Sequence, residues 1–173
     1  MKLQDMIGLS VFGVEEGKEV GKIVDIMLDS KWIITGIELE SKGFFNTLVK
    51  VVAWEEIVAY GEDALMIRSE ESIEKKEAGD IPFTFVQGKS KLKDMQVVTT
   101  NGTILGRVSD VYFDQRMGNT IVALEISDGL VTDLMEGRKW LPCTDDMSIG
   151  ENAVLVPPMS EERLQNAINI ANE

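Results

Sequence analysis

The chain has 173 residues, 44% of them apolar, and 30 acidic against 17 basic side chains give it a net charge of −13. Nucleic acid and anionic membrane surfaces are both held by clustered Lys and Arg, so this balance makes the chain a poor candidate for direct nucleic-acid binding and disfavours adhesion to an anionic leaflet. With no histidine and one cysteine, Cys143, the chain has no Ser-His-Asp or Cys-His machinery, no internal disulfide, and too few ligands for most zinc or non-haem iron sites.

Residues 1–8 lack the apolar core of a signal peptide, and no apolar run reaches the length of a membrane span. A single thiol suits a reducing compartment, so the cytoplasm is the expected location. Short β-branched runs separated by turn signals then follow one another. Ser10–Val14 leads through Glu15–Lys18 to a longer run, Glu19–Leu28. A turn at Asp29–Lys31 precedes Trp32–Glu40, and after Ser41–Gly43 come Leu48–Val52 and Ala64–Ile67. Runs this short and evenly spaced predict a small sheet or barrel. Ser69–Asp80 is rich in Glu and Lys and reads as a linker with a helical turn near Ile73. The pattern then repeats to Ala153–Val156, where Pro157-Pro158 stops it. Ser160 is placed to cap a final helix, with Glu161 and Glu162 at its positive end. Leu164, Ala167, Ile168 and Ala171 would form its apolar stripe, suited to covering an open barrel end.

The two halves share wording as well as pattern. Leu3-Gln4-Asp5-Met6 returns as Leu92-Lys93-Asp94-Met95, Gly21–Asp29 as Gly106–Asp114, and Gly61–Ala64 as Gly150–Ala153. A period of 85 to 89 residues, repeated twice, means duplicated domains and not a solenoid. The expected layout is a first barrel over 1–68, a linker over 69–88, a second barrel over 89–157 and a C-terminal helix over 158–173. Each unit is small, so the two should pack together and share buried area.

Asp25 and Asp29, echoed as Asp110 and Asp114, invite a catalytic reading. Residues four apart on a strand lie roughly 13 Å from one another, too far for a carboxylate dyad. Asp29 and Asp114 suit turn starts, where they bond to following N–H groups, and Asp25 and Asp110 suit hydrogen bonding within the sheet. Cys143 has no base nearby in sequence and behaves as a small apolar side chain. Neither a P-loop nor an EF-hand run is present, so no catalytic, cofactor or metal residues are assigned and no cofactor is expected. The loops after each third strand are apolar where solvated loops are polar. Phe44 and Phe45 in the first, with Leu130, Val131, Leu134 and Met135 in the second, are the candidate contact surface, either internal or toward a protein partner.

The motif G-[KR]-[IV]-x-D-[IV]-x-[LF]-D, carried by Gly21, Asp25 and Asp29 and by Gly106, Asp110 and Asp114, resembles that of PRC-barrel domains. This small β-barrel is shared by the photosynthetic reaction-centre H subunit and the ribosome maturation factor RimM. The tandem arrangement is similar to two-barrel proteins of Gram-positive, often spore-forming, bacteria. The resemblance implies a mainly β protein of two tandem PRC-type barrels with a short C-terminal α-helix. It also implies a non-enzymatic, protein-binding or assembly role. Unlike the H subunit, the chain has no membrane helix ahead of the barrel; unlike RimM, both halves are PRC-like. One alternative is a RimM-like assembly factor touching a basic ribosomal protein. Another is a carboxylate- and Mg²⁺-dependent enzyme. A protein partner is expected, with no direct nucleic acid and no membrane insertion, and self-association is compatible with this reading.

Overall fold

The β-branched runs of each copy become strands because their alternating apolar residues share one curled inner face. The computed structural model describes residues 1–43, 47–129, 133–135 and 137–166. The first copy comprises β1 (Ser10–Gly13), β2 (Lys18–Leu28), β3 (Ile34–Leu39), β4 (Leu48–Ala53), β5 (Ile57–Tyr60), β6 (Ala64–Ile67) and β7 (Ile73–Glu77), followed by the two-residue β8 (Phe83–Thr84). The second comprises β9 (Gln96–Thr99), β10 (Ile104–Phe113), β11 (Ile121–Ser127), β12 (Lys139–Pro142), β13 (Ser148–Ile149), β14 (Ala153–Val156) and β15 (Gln165–Asn166). The strand orders match: β5-β6-β1-β2-β3-β4-β7 against β13-β14-β9-β10-β11-β12-β15. The pairs β1–β6 and β9–β14 are parallel and all the others antiparallel.

The repeated motif lies on the long strands β2 and β10, and its register is the same in both. Gly21 faces Val11 as Gly106 faces Val97, and Asp25 faces Glu38 as Asp110 faces Glu125. Pairing slips at the same places, between Ile23 and Asp25 and again at Met27/Leu28, mirrored at Val108/Asp110 and Tyr112/Phe113. Bulges bend a strand and sharpen its twist, which lets one long strand serve both walls of a curled sheet. Gly106 adopts φ +143°, and a Cβ there would lie 2.4 Å from the Ser127 carbonyl oxygen, so only glycine fits.

Three expectations change. The match between Leu3–Met6 and Leu92–Met95 is out of structural phase. The positive-φ residues Gly8 and Asp94 are the true equivalents, each donating its N–H to the long strand, at Ile23 O and Val108 O respectively, both at 2.8 Å. Turn geometry sets this register, and the shared letters do not. The presumed linker 69–88 is instead a working part of the first sheet: a 3-10 turn at Glu70–Ser72, then β7 along β4, then β8 on β2. Its charges are those of an exposed edge strand, where they discourage further pairing. Of the C-terminal helix expected over 158–173, the described residues show one short turn, Ser160–Arg163, after which Gln165–Asn166 pairs with β12. Ser160 is buried and makes no cap bond; Met159 holds the N-cap position. The open edge of β12 overrides local helix preference here, as the edge of β4 does for β7. Both copies therefore close alike, with a short turn and an edge strand. Ala167, Ile168 and Ala171 lie outside the described residues.

The barrels interlock reciprocally. Phe83–Thr84, leading into the second barrel, pairs with the end of β2 at Leu28 and Met27. At the equivalent end of β10, Lys2, leading into the first barrel, bridges Tyr112, and Phe113 N donates to Met1 O at 3.1 Å. Between them the β2–β3 and β10–β11 turns face one another, with Ile34 N donating to Asn119 O (2.8 Å) and Ile121 N to Trp32 O (2.9 Å). Trp32, at φ +63°, sends its indole N–H to Met147 O at 3.1 Å, while the rings of Trp54 and Tyr60 pack on Phe113. One continuous apolar core runs through both copies.

Candidate functional site

The aspartates of the motif are fastened to the backbone. Asp25 is fully buried. Its Oδ1 accepts from Ile26 N (2.8 Å), Phe85 N (2.9 Å) and Val86 N (2.9 Å), and its Oδ2 from Gln87 N (2.7 Å). Asp110 accepts from Val111 N (2.8 Å) and from Gln4 N (3.2 Å). Each aspartate thus holds the segment that enters the other barrel. Burial pushes both carboxyls above the usual range, against the pull of these backbone donors. Asp29 accepts from Lys31 N and Ile33 N, and Asp114 from Arg116 N, each closing its own turn.

The sequence reading missed the polar centre of the second barrel, which is built around Glu125 opposite Asp110. Its side chain is 3% exposed and accepts from Lys2 Nζ (2.8 Å), Arg138 Nη1 (2.9 Å), Ser109 Oγ (2.9 Å) and Tyr112 Oη (3.0 Å). Burial alone would raise its pKa, but the hydrogen bonds from Lys2, Arg138 and Ser109 outweigh it and hold the carboxyl at about 2. Burial, seconded by the Glu125 charge, pushes the Tyr112 phenol up to about 12. These donors come from three distant segments of the chain, with Ser109 and Tyr112 sharing β10, so no local motif announces them. The one available signal was the register that sets Glu125 against Asp110. Its counterpart Glu38 faces Asp25, and burial followed by the Asp25 charge raises its pKa.

Beside this centre lies a cleft of ≈ 530 Å³, lined by Gln4, Arg107, Asp110, Asp128 and Arg138 among others. Several of its charged groups are already engaged: Arg107 donates to Asp94 O at 2.8 Å, Arg138 holds Glu125, and Asp128 lies 3.8 Å from Lys139. Burial pushes the Cys143 thiol up to about 12. Among the described residues no three Asp, Glu or Cys side chains are grouped to hold a metal ion, and no helix is long and apolar enough to cross a membrane.

Of the candidate contact residues, Leu134 and Met135 are 81% and 82% exposed on a helical turn over residues 133–135. Asp133 anchors that turn: its Oδ2 accepts from Ser127 Oγ at 2.5 Å and lies 3.7 Å from Arg138 Nε. Phe44, Phe45, Leu130 and Val131 lie outside the described residues.

The family model of the PRC-barrel domain matches residues 1–73 and again 88–163. The chain is also similar to a protein of Bacillus subtilis (strain 168) described as "Uncharacterized protein YrrD", with 29% identity over 143 residues that cover 81% of this chain and 77% of that protein. With nearly its whole length accounted for by two matches, and with two sheets of one strand order to go with them, the chain belongs to the PRC-barrel family and carries the domain twice.

Proposed function

We propose that the chain is a non-catalytic cytoplasmic module that docks another protein through the β11–β12 side of its second barrel. The observation carrying this reading is the Leu134–Met135 pair. Two large apolar side chains stand in solvent on a turn that Ser127 and Arg138 hold in place through Asp133. Burying such a side chain gains about 1.5–3 kcal/mol, a gain the chain forgoes in folding and that a partner would collect. The way the acids are used supports the non-enzymatic part of this reading. Asp25 and Asp110 are bonded to backbone donors, Glu125 to four side chains, and the Cys143 thiol is held protonated. A net charge of −13 favours a basic partner, which gives a RimM-like role beside a basic ribosomal protein as the second reading.

The test is crosslinking and mass spectrometry of the tagged full chain in its native cytoplasm, beside the double variant Leu134→Ser, Met135→Ser. The variant is expected to melt within about 0.5 kcal/mol of the parent, as exposed substitutions do, and to lose the parent's dominant crosslinked protein. Recovery of ribosomal proteins by the parent would select the second reading. Unchanged crosslinks in the variant would overturn the proposed surface, and cation-dependent turnover would overturn the non-catalytic reading.

A further inference from the structure

Three lysines of the first barrel share one cleft. Lys42, Lys50 and Lys75 line a space of ≈ 500 Å³ together with Val20, Gly21, Leu48 and the single acid Glu40. Lys50 on β4 and Lys75 on β7 are direct cross-strand partners. Like charges placed so oppose folding, since the Cβ atoms of such partners are only about 4.5–5.5 Å apart. The three lysines form no ion pair among the described residues, although acids outnumber bases in the chain.

The second barrel shows that the fold does not require this arrangement. There the position of Lys50 is held by Lys139, which lies 3.8 Å from Asp128, and the position of Lys75 is held by Asn166. The like-charged pair belongs to the first copy alone. Its surroundings are partly apolar: Val20 and Leu48 line the cleft, and the space that a Cβ on Gly21 would take reaches Leu39 at 3.7 Å. Concentrated positive charge beside an apolar wall fits a ligand with an anionic head and an apolar body.

We infer that this cleft is an anion-binding site for a small amphipathic molecule whose phosphate or carboxylate is held between Lys50 and Lys75, with Lys42 at the rim. The ammonium groups supply charge-assisted hydrogen bonds to the head group, which would remove their mutual repulsion. Val20 and Leu48 would cover the apolar body.

The test titrates the full chain with octyl phosphate, octanoate and inorganic phosphate, followed by amide NMR shifts. Saturable shifts are expected at Gly21, Ser41, Lys50 and Lys75, and none at Gly106 or Lys139. The tighter of the two octyl probes identifies the head group, and inorganic phosphate should bind more weakly than either. Lys50→Gln and Lys75→Gln should each weaken binding roughly ten- to hundredfold, the range for losing one hydrogen bond to a charged group. Lys75→Glu should abolish binding and raise the melting temperature, because the cross-strand pair turns attractive. Shifts that never saturate, shifts spread over all lysines, equal binding of inorganic and octyl phosphate, or full binding by Lys50→Gln and Lys75→Gln would each overturn the inference.

Discussion

Replacing Asp25 with alanine is the sharpest probe of how the barrels are joined. The change strips an acceptor from Ile26, Phe85, Val86 and Gln87 N–H together, although Phe85 N–H also donates to Ile26 O at 3.0 Å and keeps that bond. An orphaned buried donor costs about 1–3 kcal/mol, but Val86 and Gln87 sit where water can replace part of the loss. Removing a buried charge returns some stability as well, since burial has already pushed this carboxyl upward. The net expectation is a loss of about 2–3 kcal/mol. Asp110→Ala frees only Val111 N and Gln4 N, the latter from a longer bond of 3.2 Å, so its loss should be about 1–2 kcal/mol. Asp25→Asn keeps the three bonds to Oδ1 if the carbamoyl oxygen takes that place, but sets its NH₂ against Gln87 N–H. It should fall between the two alanine variants. Urea unfolding followed by tryptophan fluorescence measures all three, with hydrogen exchange reporting on the strap. Amides 85–87 should exchange faster in Asp25→Ala while those of β1 and β6 stay protected. If Asp110→Ala matches or exceeds Asp25→Ala, or if Asp25→Ala loses less than about 1 kcal/mol, the clamp argument is wrong.

The two register-equivalent glutamates should titrate with opposite effects. Glu125 is held at about 2, below its ordinary 4.5, so its stabilisation is present above 4.5 and lost as pH falls toward 2. It amounts to at most about 3 kcal/mol, reduced because Arg138 and Lys2 remain partly in water. Glu125→Gln should therefore be less stable at neutral pH, and the gap to the parent should close between pH 4.5 and 2; a gap independent of pH would refute this. Glu38 is raised above 4.5, so the parent loses stability as pH climbs from 4.5 through that raised value. Glu38→Gln should gain on the parent over that interval, and parallel pH profiles would count against it. A fragment of residues 1–80 lacks Phe85 and three of the four donors that satisfy Asp25, so its urea midpoint should fall well below that of the full chain. Equal midpoints would show that the first barrel needs no support from the second.

Much of the fold was legible because its determinants are local. Gly106 needs an extended positive φ beside the Ser127 carbonyl, and the bulge aspartates recur at fixed distances from Gly21 and Gly106, so the motif located β2 and β10 directly. What escaped depends on partners remote in sequence. Ile73–Glu77 looked like a linker because four of its five residues are charged, and only the free edge of β4 makes it a strand. Leu164 fitted a helical stripe, yet the chain is already extended there, and pairing with β12 follows at once. Trp32 read as a strand residue, but its left-handed backbone serves the seam between barrels. The Glu125 centre draws on Lys2, Ser109, Tyr112 and Arg138, a convergence that no window of sequence contains.

Comparing the copies position by position separates what the fold demands from what each barrel does with it. The bulge aspartates, the slips in register and the closing edge strands are common to both, and all serve the sheets or their interlock. Around the glutamate that faces the bulge aspartate, the copies part. Ser109, Tyr112, Arg138 and Lys2 of the second barrel stand where the first has Val24, Met27, Val49 and Thr84. Four polar donors therefore converge on Glu125, while Glu38 is left half-buried beside the Asp25 charge. The clefts part too. The first barrel opposes Lys50 to Lys75, whereas the second sets Lys139 near Asp128 and raises Leu134 and Met135 on a neighbouring turn. A fold that tolerates both arrangements at the same positions does not dictate either one. The fold leaves these positions free to differ, with like charges paired on the first barrel and exposed apolar side chains on the second.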